Sequence, residues 1–528
     1  MIKRILICAV FMIVSFFILY THILSISVNG DYIDLAEKQS KYVVDIGTVY
    51  GNIYDCNYNL IVNDTQNYIS VINPTDEAIT EIEPFIVNNS DFQNKLKKGT
   101  PFAIQTTKNT FKSKDIYSFT IPQRYSKNQI ARHLIGYISN GEGVSGLEKS
   151  YNKFLNESKI DYSMTFIKDG IGNVLKGINP IVSSNKTVTK GLVTTIDKNI
   201  QIICENAMKD IKKGACLVTD ISTGEIKSMV SMPTFDINNL ENSLNNNDFP
   251  FINRTLCEYS CGSIFKLITS GTALEYGISP NFKYDCTGSI DIKNQEFKCH
   301  KLDGHGIQDM QSAIRNSCNT YFIELSKYIP NENLLDICSR LGFGRETIFA
   351  KNISSKSGYI PTKQELQVPA EKGNFSFGQG LLTVTPVQIA SLTCAIANDG
   401  EMPILYLVKG KTSNGNDIYD INYPRYTPIF SVDTAKKLQN FMKSAVQDNL
   451  TSNGRPYNTT ASGKTSTAQT GKYNLDGTEI CQAWITGYFP CDNPKYAVTV
   501  LVENGGYGNT SASPIFKKII EDITDLDT

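Results

Sequence analysis

An almost unbroken apolar run near the N-terminus, from Ile5 to Ile26, constrains this chain more than any other stretch. Only Ser15, Thr21, His22 and Ser25 interrupt it. About twenty apolar residues suffice to cross a bilayer. In lipid the backbone satisfies its own polar groups only as a helix or a closed barrel. Residues 5–27 are therefore expected to form one transmembrane helix, behind a cytoplasmic tail of residues 1–4. Lys3 and Arg4 favour keeping the short N-terminal side in the cytoplasm. The rest of the chain is then extracytoplasmic, held at the cell membrane by a single pass. A cleaved signal peptide is the rival, with Ser25-Ile26-Ser27 as a small-x-small site. The run is longer than most signal h-regions, which favours the anchor, and both readings export everything after about residue 28.

Charge excludes one class of partner. The 51 basic and 52 acidic residues leave a net charge of −1, so no broad basic field exists for nucleic acid. With 528 residues, 41% of them hydrophobic, the chain supports several large cores. Its 13 cysteines are irregularly spaced along a long chain, unlike a small disulfide scaffold.

Texture divides the exported part in two. Residues 28–185 are polar, with short alternating pieces such as Tyr68-Ile69-Ser70-Val71-Ile72 that read as strands. Nothing there has the makings of a catalytic centre, so this region is expected to be a β-rich pedestal. Residues 186–528 read differently. Asp197 to Lys212 has Ile200, Ile203, Ala207 and Ile211 on one helical face. Ala215–Asp220 and Glu225–Ser231 read as a hairpin through Ser222-Thr223-Gly224. Ala483–Phe489 and Tyr496–Glu503 read as a second strand pair, followed by a helix carrying Ile515, Ile519, Ile520 and Ile523. This order predicts an α+β domain in which an antiparallel sheet, built from both ends of the domain, lies between helices.

Three short motifs carry chemistry. In Gly262-Ser263-Ile264-Phe265-Lys266, a helix starting near Ser263 would put Ser263 and Lys266 on one face. A buried lysine amine beside a serine hydroxyl can accept its proton. Helix N-terminal N–H groups favour a developing oxyanion. In Ser317-Cys318-Asn319, a tight loop would aim a hydroxyl and an amide into one cleft. Ser317 would relay a proton and Asn319 would bind a substrate amide. In Ser462-Gly463-Lys464-Thr465-Ser466-Thr467, a strand would place Lys464 beside the cleft and offer hydroxyls to a carboxylate. A phosphate-binding loop is excluded there, because its first glycine would fall on Asn458. Alone, each motif is common. Their order and spacing form the three-part signature of penicillin-interacting serine enzymes. The four histidines, His22, His133, His300 and His305, leave few partners for a Ser-His-Asp triad.

The chain thus resembles class B penicillin-binding proteins, monofunctional D,D-transpeptidases. Asn253-Arg254, Gly378-Gln379-Gly380, Thr385-Pro386 and Ala483-Trp484 add to the likeness. Gly51-Asn52-Ile53-Tyr54-Asp55 is similar to a pedestal stretch of the family, with Tyr50 where an arginine is usual. The resemblance implies a penicillin-binding, serine β-lactamase-like transpeptidase fold on a non-catalytic, dimerisation-like pedestal. It implies Ser263, Lys266, Ser317, Asn319 and Lys464 as catalytic residues, with Thr465, Ser466 and Thr467 binding substrate. It further implies that the N–H groups of Ser263 and Thr467 form the oxyanion hole. The implied substrates are stem peptides ending in D-Ala-D-Ala, with β-lactams as acylating inhibitors and a polytopic glycan polymerase as partner. No cofactor is required. A β-lactamase or β-lactam sensor would share the motifs, and an inactive cell-wall scaffold is the third alternative. Ser466 stands where the family has glycine, and its side chain is expected to crowd the groove or add a hydrogen bond.

Cys286, Cys299, His300 and His305 cluster between the first two motifs, and Cys318 falls inside the second. Cysteine with histidine suits Zn²⁺. Cys286, Cys299 and His305 are the candidate ligands, a Cys286–Cys299 disulfide is the rival, and free thiols are the third possibility.

Overall fold

Ile2–Val28 forms one helix, α1, on which no side chain is buried. It starts three residues before the expected span and is long and apolar enough to cross a membrane. The structure, a computed structural model, describes residues 1–28, 30–184 and 186–526, without the side chains of Asp31 and Ile33.

The chain divides into two compact units, and not at residue 185. Met1–Tyr50, Asn63–Arg124 and Ser158–Val188 make the smaller. Gly51–Val62, Tyr125–Glu157 and Thr189–Thr528 make the larger. The expected continuous pedestal of residues 28–185 is corrected here, because pairing and burial outweigh sequence adjacency. Asn52–Tyr54 runs parallel to Gly191–Thr194, with Ile53 opposite Leu192. Ile53, Leu147 and Leu155 are buried in the same core as Leu192 and Ile196.

In the smaller unit, β1 (Lys41–Val49) takes a later strand, Ile160–Ile167, as its antiparallel partner. There β2 (Thr65–Ile72) lies between β3 (Phe102–Thr106) and β4 (Ile116–Gln123). The expected strand at Tyr68–Ile72 is the C-terminal part of β2. We label Ile160–Ile167 β5. Val44, Val71, Ile121, Met164 and Phe166 share one small core.

In the larger unit, α2 (Lys198–Met208) is capped by Asp197, whose side chain accepts from the N–H groups of Asn199 and Ile200. Then come β6 (Gly214–Asp220), β7 (Ile226–Met232), α3 (Lys266–Glu275), α4 (Met310–Arg315), α5 (Asn319–Ser326) and α6 (Pro386–Ala397). The chain closes with β8 (Ser462–Tyr473), β9 (Glu479–Phe489), β10 (Tyr496–Val502) and α7 (Ser513–Leu526). The sheet order is β7-β6-β10-β9-β8, antiparallel throughout. Strands from both ends of the domain therefore pair, as their patterns predict. Period-two alternation sends neighbours to opposite faces. Val218 and Val498 pack with Met208 of α2 and Phe516 and Ile519 of α7. Leu217 and Leu501 face the core that holds Leu267 of α3 and Leu392 of α6. This arrangement leaves β8 at the sheet edge, against the turn that precedes α3.

Candidate active site

The expected helix start at Ser263 is replaced by a 3₁₀ turn, Gly262–Phe265, with the α-helix proper beginning at Lys266. The Lys266 N–H donates to Ser263 O across this turn. In 3₁₀ geometry side chains three apart eclipse, so those of Ser263 and Lys266 lie in line. Ile264, Phe265, Leu267 and Ile268 are fully buried and fasten the turn to the core. Ser263 stays half-exposed while Lys266 is wholly buried.

The segment entering the turn is tied down at several points. Tyr259 and Val384 exchange two backbone hydrogen bonds of 2.8 Å. The Gly262 N–H donates to Gly378 O at 2.9 Å. Trp484 Nε1 donates to Ser260 O at 3.1 Å. Gly262 has φ +53° and Gly378 φ +81°, and a Cβ on Gly378 would lie 2.1 Å from Gly262 O. Glu503 Oε1 accepts from Arg254 Nε at 2.8 Å and from the Tyr259 hydroxyl at 2.7 Å. Sequence reasoning missed Tyr259 and Glu503, which are 244 residues apart and carry no local signature.

The second and third motifs converge on Lys266. Ser317, between α4 and α5, adopts φ +52°, a left-handed conformation uncommon for a residue with a side chain. Lys266 Nζ donates to Ser317 O at 2.6 Å, to Ser317 Oγ at 3.2 Å and to Asn319 Oδ1 at 2.7 Å. Lys464 Nζ reaches the same Ser317 Oγ at 3.0 Å and Thr465 O at 2.9 Å. Asn319 thus spends its carbonyl on the lysine. Its Nδ2 faces Lys298 O at 3.5 Å.

Burial sets the protonation of both amines. It pushes Lys266 down to about 7, with Cys318 and Cys299 pulling weakly the other way. Lys464, 2% exposed, is held well below the ordinary lysine range by burial first and then by the charge of Lys266. Two like charges packed in a dry site disfavour each other. At least one neutral amine, a proton acceptor, is therefore available near neutral pH.

Strand β8 alternates as its sequence predicts. Lys464, Ser466 and Ala468 are buried, while Thr465 and Thr467 are half-exposed. Thr467 Oγ1 accepts from the Gly508 N–H at 3.2 Å. The expected extra hydrogen bond at Ser466 is absent, since its Oγ is buried and has no partner among the described residues.

Cys286, Cys299 and His305 do come together, and Cys318 joins them, all ligand atoms lying within 4.8 Å of one another. His305 Nδ1 is 3.5 Å from the sulfurs of both Cys286 and Cys299. Cys299 and Cys318 sulfurs are 3.9 Å apart. The Cys318 thiol facing it holds Cys299 well below the usual thiol range. His300 is exposed, and the cysteines are free, without the rival disulfide.

The chain is similar to several known proteins. Residues 214–521 match the family described as penicillin binding protein transpeptidase domain. Stage V sporulation protein D of Bacillus subtilis (strain 168) is 27% identical over 428 residues, covering 76% of this chain and 63% of that protein. The chain thus spans less than two thirds of that relative's length. The peptidoglycan D,D-transpeptidase MrdA of Salmonella typhimurium (strain LT2) is 23% identical over 608 residues, covering 99% of this chain and 96% of that protein. Among solved structures, the ceftriaxone acyl-enzyme of penicillin-binding protein A from M. tuberculosis matches with TM-score 0.63 at 23% identity, over 74% of this chain and 90% of that one. A chain of a peptidoglycan synthase complex matches with TM-score 0.70 at 23% identity, over 98% of this chain and 97% of that one.

Proposed function

The chain belongs to the penicillin-binding protein transpeptidase family, as a class B member, and from that premise we propose that it cross-links peptidoglycan stem peptides by serine acyl transfer. The observation that carries this reading is the meeting of Lys266 and Lys464 on Ser317 Oγ, with Ser263 in the 3₁₀ turn that leads into Lys266. Ser263 Oγ attacks the penultimate D-Ala carbonyl of a donor peptide, and its proton passes to the neutral Lys266 amine. The N–H groups of Ser263 and Thr467 receive the oxyanion. The D-Ala–D-Ala peptide bond breaks, and the proton returns through Ser317 to the departing amine. The acyl group is left as an ester on Ser263. An amine of a neighbouring stem peptide then attacks that ester, a new amide forms, and Ser263 recovers its proton. Thr465 and Thr467 hold the terminal carboxylate, with Ser466 between them, while Lys464 Nζ holds the Ser317 hydroxyl at 3.0 Å. A β-lactam follows the first half: its ring amide opens on Ser263. No cofactor takes part.

The smaller unit holds none of these residues and serves as a non-catalytic pedestal. The exposed apolar α1 anchors the chain in the membrane by one pass, with Lys3 and Arg4 on the cytoplasmic side. A polytopic glycan polymerase is the partner, in line with the neighbour from a peptidoglycan synthase complex.

The cysteine–histidine cluster holds a structural zinc. With Zn–S near 2.3 Å and Zn–N near 2.0–2.1 Å, a tetrahedral site has ligand–ligand edges of about 3.5–3.8 Å. Three of the six separations, 3.5, 3.5 and 3.9 Å, lie near those edges, and all six fall within 4.8 Å. Elemental analysis of chelator-free protein is expected to find about one zinc per chain, reduced in Cys299→Ser. Metal-free protein would end this assignment without touching the catalytic one.

The test of function is mass spectrometry after incubation with a fluorescent penicillin. One adduct, on Ser263, is expected, lost in Ser263→Ala. No adduct supports the inactive scaffold instead. Rapid turnover of a chromogenic cephalosporin supports a β-lactamase.

A further inference from the structure

Ser466 is 3% exposed, and its hydroxyl is buried without a partner. A buried hydroxyl left unpaired is a standing cost, so its place has another explanation than hydrogen bonding. That place is against the nucleophile turn. A Cβ built on Gly262 would lie 2.5 Å from Ser466 Oγ and 3.1 Å from the Cα and Cβ of Ala468. Ser466 Oγ therefore fills the space beside Gly262 that a side chain would occupy.

Each of these two residues immediately precedes an oxyanion-hole donor. Gly262 shares a peptide plane with the N–H of Ser263, and Ser466 with that of Thr467. Peptide planes are rigid, so the Gly262–Ser466 contact sets the distance between the two donors. Neither side is free to yield. Gly378 packs behind Gly262, where its Cβ would meet Gly262 O at 2.1 Å. Behind the strand, Ser466 pairs with Trp484, and a Cβ on Gly508 would lie 2.4 Å from Ser466 O.

We propose that Ser466 is a positioning residue whose Oγ, wedged against Gly262, holds the oxyanion-hole N–H groups of Ser263 and Thr467 apart and thereby limits the rate of acylation. This rests on the acyl-transfer reading above. Ligand binding before the chemical step does not depend on the wedge, so the effect falls on the rate constant rather than on affinity.

The experiment measures the acylation rate constant and the initial dissociation constant for benzylpenicillin, together with kcat and KM for a thioester donor. It compares the natural protein with Ser466→Ala, Ser466→Gly and Ser466→Cys, each checked for cooperative melting. Alanine and glycine remove the contacting atom. Acylation is expected to rise about tenfold in both, the size of effect that sub-ångström repositioning gives, with dissociation constant and KM unchanged. Cysteine keeps a larger γ atom without the hydroxyl and is expected to slow acylation below that of the natural protein. A rate in Ser466→Ala at or below the natural one overturns the proposal. So does a Ser466→Cys rate as high as that of Ser466→Ala, which would give the role to the hydroxyl. If the natural protein takes no adduct on Ser263, the acyl-transfer reading fails first and this inference with it.

Discussion

Lys266 and Lys464, 198 residues apart by their numbers, deliver their amines to one oxygen, Ser317 Oγ, at 3.2 and 3.0 Å. Both lysines are buried. Burial lowers the proton affinity of both amines, and the shared contact sets Ser317 beside the one that acts as a base.

The pH dependence of acylation follows. Lys266 is pushed down to about 7 by burial, and the groups facing it are Lys464, Cys318 and Cys299. The neutral amine is the competent form. The acylation rate is therefore expected to rise as pH increases through about 7 and then level off. A penicillin-labelling rate that stays flat across neutrality, or falls with rising pH, rules out Lys266 as the base.

Ser317→Ala leaves both amines without their common acceptor. Proton relay through a positioned group contributes about 10²–10⁴-fold, so acylation is expected to fall by about 10²-fold or more, with initial penicillin binding retained. Asn319→Ala removes only one acceptor of Lys266 and is expected to fall less. Single-turnover kinetics on both variants check the order, and equal losses would count against the relay.

Arg254 and Glu503 form a largely enclosed ion pair, with side-chain exposures of 4% and 18%. Removing one partner strands a buried charge. Arg254→Met is expected to destabilise the protein by about 3 kcal/mol, while Arg254→Met with Glu503→Gln recovers part of the loss. Denaturant midpoints decide it, and additive losses would show that the pair is uncoupled.

Gly378→Ala places a Cβ 2.1 Å from Gly262 O at φ +81°. The turn that carries Ser263 must then move. Penicillin labelling is expected to drop at least about tenfold in protein that still melts cooperatively. Undiminished labelling would mean that the turn tolerates the shift.

Much of this was legible in the sequence for local reasons. The apolar run of α1 and the short runs of β6 and β7 on either side of Ser222-Thr223-Gly224 announce their structure locally. Ser263, Lys266, Ser317, Asn319 and Lys464 stood out because chemistry needs those residue types within short, recognisable strings. The positive φ of Ser317 and the replacement of a helix start by a 3₁₀ turn left no such trace. Backbone conformation there is imposed by surrounding contacts rather than by local preference. Cys318 was visible as a cysteine inside a motif but became a fourth member of the cluster only through its approach to Cys299.

Composition and pattern by themselves determined an N-terminal helix long and apolar enough to cross a membrane, an antiparallel sheet between helices, and the short strings that hold the serines and lysines of the candidate site. These depend on periodicity and residue type, which a linear string carries. Folding alone decided which distant groups meet. It placed Asn52–Tyr54 beside Gly191–Thr194, joined Glu503 to Tyr259, and set Ser466 against Gly262. Such contacts are selected by burial and close packing over the whole core, and no short window of sequence encodes that sum.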